Sequence, residues 1–137
     1  MRIHSYLTFS GNCRAAMEFY KDCLGGRLHF QTVGESPLGE KMPMAMQDYI
    51  LQSTLTKGDF LLMASDLVED KGLIRGNAVS LVLDCESRAD LKKYYDRLAR
   101  GGEATHPLDN NFWGVLFGGL TDKFGNHWLL YSSVNPR

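Results

Sequence analysis

Cysteine and proline are both scarce, with three of the first and four of the second in 137 residues. Cys13, Cys23 and Cys85 are scattered, odd in number and free of any C-x-x-C pair. That excludes a disulfide framework and argues against structural zinc, so all three thiols are expected to be reduced. A basic excess is missing too. Fifteen Lys and Arg against sixteen Asp and Glu leave a net charge of −1, and no basic stripe offers to neutralise phosphates, so nucleic acid is not an expected partner. No apolar run approaches the roughly 18 residues of a membrane helix. Met1-Arg2-Ile3-His4-Ser5 begins no apolar signal region, and the expectation is a cytoplasmic protein without a membrane partner. There is no G-x-G-x-x-G after a strand, no P-loop lysine motif and no G-x-S-x-G elbow.

What is present is an ordinary globular composition, 44% hydrophobic and 23% charged, in a chain long enough for one buried core. Residues 3–9 alternate, with Ile3, Leu7 and Phe9 on one parity and His4, Tyr6 and Thr8 on the other, which predicts a strand with one apolar face. Asn12 is placed to cap a helix whose stripe is Ala16, Phe19, Tyr20, Cys23 and Leu24, stopped by Gly25-Gly26. Cys13 falls in its first turn, where the helix dipole favours a thiolate; the plainer reading is a small half-buried residue. Residues 27–33 are extended, 34–43 form a loop, and Tyr49–Thr56 and Phe60–Ala64 make a hairpin around Lys57-Gly58-Asp59. Ser65–Gly76 is polar and irregular.

The order then repeats. Residues 79–83 alternate as a strand, and Ser87 caps a helix with Asp90 at the capping-box position. Its stripe is Leu91, Tyr94, Tyr95 and Leu98, and Gly101-Gly102 ends it. Extended pieces follow at 103–106, at 115–121 (broken by Gly118-Gly119) and at 127–132, the last after an Asp122–Asn126 turn. Strand, helix and three strands thus occur twice, about 75 residues apart, and neither copy buries its own surfaces as well as two together.

Tyr6-Leu7-Thr8-Phe9-Ser10-Gly11-Asn12-Cys13-Arg14, Phe19-Tyr20, Leu24-Gly25-Gly26, Gly101-Gly102-Glu103, Phe112-Trp113-Gly114 and Asp122-Lys123-Phe124-Gly125 resemble PhnB-like proteins of the vicinal oxygen chelate superfamily. That superfamily takes in glyoxalase I, bleomycin-binding proteins and extradiol dioxygenases. The resemblance implies an α+β fold in which two βαβββ modules, about 1–70 and 76–137 of a single 1–137 domain, form a curled mixed sheet, an open barrel around a cavity. It also implies a homodimer and a small-molecule ligand or divalent metal in the cavity. Some PhnB-like proteins carry a demethylubiquinone methyltransferase label, but no glycine-rich strand-to-helix turn is present here to cradle S-adenosylmethionine.

A catalytic metal of this superfamily draws donors from the first and last strand of each module, converging at about 2.0–2.2 Å. By similarity His4 sits at the first such position and is the one metal candidate. The others hold Leu62, Met63 or Ala64, then Asn77 or Ala78, then Leu129. Gln52 matches a position that often carries His, and an amide is a weak ligand. The expectation is therefore a small-molecule-binding protein without a catalytic metal, the alternative being a divalent-metal glyoxalase or dioxygenase-type enzyme using His4. The expected pocket is His4, Tyr6, Gln52, Met63, Ser80, Trp113, Leu129 and Tyr131, with Thr8, Ile50, Thr54, Ala78 and Val82 on the same parities. Apolar walls with a few oriented polar groups suit a small-molecule site. Phe112-Trp113 is placed to cover an opening, and Met42–Met46 to lid a pocket or pack at a dimer seam. His29 and His127 read as strand-surface histidines, His106 as a loop residue, and Asp66 as a turn or cap residue.

Overall fold

The computed structural model describes residues 1–68, 71–110 and 114–132. The chain divides into two compact units, Met1–Ile74 and Arg75–Arg137. The first contains β1 (Ser5–Thr8), α1 (Cys13–Leu24), β2 (Arg27–Thr32), β3 (Ile50–Lys57) and β4 (Phe60–Ser65). The second contains β5 (Leu81–Asp84), α2 (Arg88–Ala99), β6 (Glu103–Asn110), β7 (Leu116–Thr121) and β8 (His127–Ser132). Each unit is a four-stranded mixed sheet, ordered β1-β4-β3-β2 and β5-β8-β7-β6, with one parallel pair and two antiparallel pairs. The twofold repetition of strand, helix and three strands is thus present as expected.

In each unit the helix covers one face of its sheet. Phe9, Ala16, Met17, Tyr20, Leu55 and Ala64 are fully buried in the first unit, and Leu91, Leu98 and Leu130 in the second. The helix stripes therefore match the inward parity of the strands. Residues facing the other way form a second, open sheet face that no helix or strand of the same unit covers among the described residues.

Two helix starts are built differently. Ser87 Oγ accepts the Asp90 amide at 3.0 Å, the expected cap. Asn12 makes no side-chain cap bond. The carboxylate of Asp66, 3% exposed, reaches back from the end of β4 instead. Its Oδ1 accepts the amides of Gly11 and Cys13, both at 2.9 Å, and its Oδ2 accepts that of Ile50 at 2.8 Å. One side chain thereby satisfies three backbone donors on two segments, the turn into α1 and the start of β3.

Cys13 is correspondingly no thiolate. Burial, aided by the Asp66 charge, pushes its thiol up to about 12. All three cysteines are buried and none is in a disulfide among the described residues. Native protein treated with iodoacetamide at pH 8 should carry no adduct on Cys13 by mass spectrometry, whereas urea-unfolded protein labels readily. Because the folded value lies above the reference of 9.0, the associated stability is complete below about pH 9 and is lost as pH climbs towards 12.

β6 is longer than expected and is an edge strand, which tolerates Pro107 without an amide donor. Its pairing with β7 shifts register on both sides of His106. The Tyr95 hydroxyl bridges this irregular stretch, donating to the carbonyls of His106 at 2.9 Å and Gly119 at 3.0 Å. Gly118 does not break β7. A Cβ there would lie 3.0 Å from Tyr95 Cε2 and 2.6 Å from Leu108 Cδ2, so its bareness admits the tyrosine. Tyr95→Phe should cost about 1–2 kcal/mol in urea unfolding, since two carbonyls lose their shared donor.

The Asp122–Asn126 turn is also held by one carboxylate. Asp122 Oδ1 accepts from the amides of Phe124 and Asn126, and Oδ2 from the indole of Trp128 at 2.8 Å. No helix among the described residues is long and apolar enough to cross a membrane.

Candidate functional site

Directly paired residues on neighbouring strands share a face, so the register lays out each open face row by row. In the first unit Tyr6 pairs Met63, Met63 pairs Thr54, and Thr54 pairs His29, a row that crosses all four strands. Beside it Gln52 pairs Gln31. In the second unit the matching row is Val82, Leu129, Gly119 and His106, and the neighbouring row is Asp84, Tyr131, Phe117 and Asp109.

The two faces differ in chemistry. The second unit exposes apolar groups, with Val82 59% and Phe117 37% accessible. Tyr131 hydrogen-bonds its pairing partner Asp84, and that bond holds the phenol above its usual range. The first unit is polar towards its β2 edge. There a concavity of about 500 Å³ is lined by His29, Phe30, Gln31, Glu35, Gln52 and Thr54. Strand alternation supplies His29 and Gln31 from β2 and Gln52 and Thr54 from β3, while Glu35 comes from the loop after β2.

Glu35 is fixed rather than trailing. Its Oε1 accepts from the Thr32 hydroxyl at 2.7 Å and the Thr32 amide at 3.1 Å, and its own amide donates to Thr32 Oγ1 at 3.2 Å. Those bonds, with smaller contributions from the Arg14 and His29 charges, hold its carboxyl below the usual carboxylate value. The Arg14 guanidinium lies over the Phe30 ring, 4.7 Å from its centre. The side chains of His29, Gln31, Gln52 and Thr54 have no hydrogen-bond partner among the described residues. The loop beyond Glu35 folds on itself, Gln47 Nε2 donating to the Gly39 and Met42 carbonyls at 2.7 and 3.2 Å.

Of the residues expected to line a pocket, Tyr6, Gln52 and Met63 lie on the open face of the first unit. Leu129 and Tyr131 lie on that of the second. His4 precedes β1 and Ser80 precedes β5, and both are exposed. Phe112 and Trp113 lie outside the described residues. Ile50 shares the parity of Gln52 but is 1% exposed: it stands at a register shift between Gln31 and Thr32, with its amide drawn to Asp66. His29, Gln31 and Glu35 were not anticipated, although Arg27, His29 and Gln31 do share a polar parity. His127 is a strand histidine as expected, at the start of β8, with Nδ1 2.9 Å from Thr121 Oγ1 and Nε2 3.1 Å from the Gly76 carbonyl.

A divalent ion does not fit the residues at the strand positions where metal members of the fold place donors. Those positions carry Met63 and Leu129 on the open faces, with exposed His4, Asn77 and Ala78 outside the strands. Alkyl and thioether groups do not replace carboxylate and imidazole. Among the described residues, no three His, Cys, Asp or Glu side chains gather to hold a metal ion.

The family model of the Glyoxalase/Bleomycin resistance protein/Dioxygenase superfamily matches residues 2–130. The chain belongs to this superfamily. Protein YjdN of Escherichia coli (strain K12) is 30% identical over 140 residues, covering 95% of this chain and 94% of YjdN. The crystal structure of protein PA1353 from Pseudomonas aeruginosa superposes with a TM-score of 0.85 at 35% identity, covering 96% of this chain and 97% of that one. The PhnB protein from Bacillus cereus has the same fold, with a TM-score of 0.73 at 23% identity over 97% of this chain and 100% of its own.

Proposed function

We propose that the protein is a small-molecule-binding member of the PhnB-like branch of this superfamily that works without a bound catalytic metal. Its ligand is received at the concavity on the open face of the first unit. The observation that supports this reading most is the set of four polar side chains there (His29, Gln31, Gln52 and Thr54) that the described residues leave uncommitted. They sit on paired strands whose opposite face is core, so their positions are set before a ligand arrives. The apolar residues Tyr6 and Met63 continue the same face. The donor set at the family's metal positions supports the metal-free part of the reading.

A thermal-shift screen of metabolites and antibiotics tests it. At least one compound should raise the melting temperature, and His29→Leu or Gln52→Leu should remove that rise while leaving the unliganded transition in place. A panel that moves nothing, or a shift indifferent to both substitutions, overturns the site. Stoichiometric zinc, iron, manganese or nickel in protein purified without chelator overturns the metal-free reading. The homodimer implied by the family belongs to the same proposal. Light scattering giving a mass near twice the 15.4 kDa chain checks the dimer.

A further inference from the structure

Resting on the reading of the concavity as a ligand site, we propose that it selects an uncharged planar amide or lactam, held edge-on by the paired side-chain amides of Gln31 and Gln52. The two glutamines are directly opposed across β2 and β3, which brings their Cβ atoms to about 4.5–5.5 Å. Neither amide is engaged by the described residues. Each therefore presents a donor and an acceptor side by side. That pattern is self-complementary: a cis-amide edge closes a ring of two hydrogen bonds with it, accepting from the glutamine NH2 and donating to its oxygen. Two glutamines next to each other read a ring with two such edges.

Charge narrows the class further. An anionic ligand would meet the Glu35 carboxylate, which the Thr32 hydroxyl and amide keep in its ionised form. A cationic ligand would find a single carboxylate already bonded to the Thr32 hydroxyl and amide. Glu35 Oε2 carries no bond from the described residues and is placed to take an N–H from the rim of a neutral ring. A concavity of about 500 Å³ has room for a one-ring or two-ring compound.

The test follows the side-chain NH2 resonances of 15N-labelled protein, assigned from Gln31→Leu and Gln52→Leu spectra, while uracil is added. Both glutamine signals should move saturably. 1,3-Dimethyluracil keeps the ring and its carbonyls but has lost both N–H donors, and it should bind at least about tenfold more weakly. Inorganic phosphate and methylammonium should leave both signals in place. If phosphate or methylammonium moves them and uracil does not, the ligand class is overturned while the site stands. If dimethyluracil binds as well as uracil, edge recognition is overturned. If no probe moves either signal and the compound found by thermal shift perturbs resonances elsewhere, both the class and the site are overturned.

Discussion

Asp66→Ala is expected to cost between about 3 and 5 kcal/mol of unfolding free energy, because it strips three backbone amides, two of them buried, of their acceptor at once. Gly11 and Cys13 lie at the turn into α1, and Ile50 opens β3. With Asp66 only 3% exposed and the bonds to the Cys13 and Ile50 amides buried, water cannot replace the acceptor of those two without opening the structure. Asp66→Asn keeps one acceptor oxygen for the helix turn but sets an NH2 against a backbone N–H, so it should fall between the wild type and the alanine variant. Urea unfolding followed by far-UV circular dichroism measures both. A loss below about 1 kcal/mol for Asp66→Ala would show that the three amides find other acceptors. Stabilities of whole domains run to about 5–15 kcal/mol, so the expected loss is a large share of the total.

Gly102→Ala should destabilise by about 3 kcal/mol or more, and Gly101→Ala by about 1 kcal/mol. The neighbours separate the two. A Cβ on Gly102 would strike the Thr121 carbonyl and the backbone of Asp122. That backbone cannot retreat, because Thr121 pairs Glu103 and the Asp122 amide is bonded to the Asn126 carbonyl at 2.8 Å. A Cβ on Gly101 meets only the Lys123 side chain, at 3.3 Å, which can swing away, leaving the strain of a φ of +80°. In the first unit a Cβ on Gly26 would come within 2.6 Å of the Thr56 carbonyl, a close approach of the same kind. The double glycine after each helix is thus a contact requirement as well as a stop signal. Comparable costs at 101 and 102 would refute that account.

The sequence showed the repeated element order, the helix stripes and the hairpin because each is written in local periodicity or turn chemistry. Parity along a strand also placed Tyr6, Gln52 and Met63 on an open face. What escaped depends on contacts remote in sequence. The capping of α1 passed from Asn12 to Asp66, 53 residues beyond Cys13. Ile50 turned inward because of a register shift that no alternation pattern reports. Gly118 reads as a strand breaker until the Tyr95 ring is seen to need the space. His29 and Gln31 had a visible polar parity, but only the pairing of β2 with β3 sets them against Thr54 and Gln52. Glu35 depends on a loop bond to Thr32, which no periodic signal carries.

Each helix packs on one side of its sheet, so folding constrains the inward side chains tightly and the outward ones hardly at all. The matching outward positions accordingly differ between the two copies, Thr54 against Gly119 and Gln52 against Phe117, while the β3–β4 and β7–β8 ladders both run without a register shift. Such a scaffold acquires new specificities at little thermodynamic risk. Ancestral and present-day versions can share a backbone and a melting curve yet recognise unrelated compounds, so similarity of shape among these proteins is a poor guide to what each one holds.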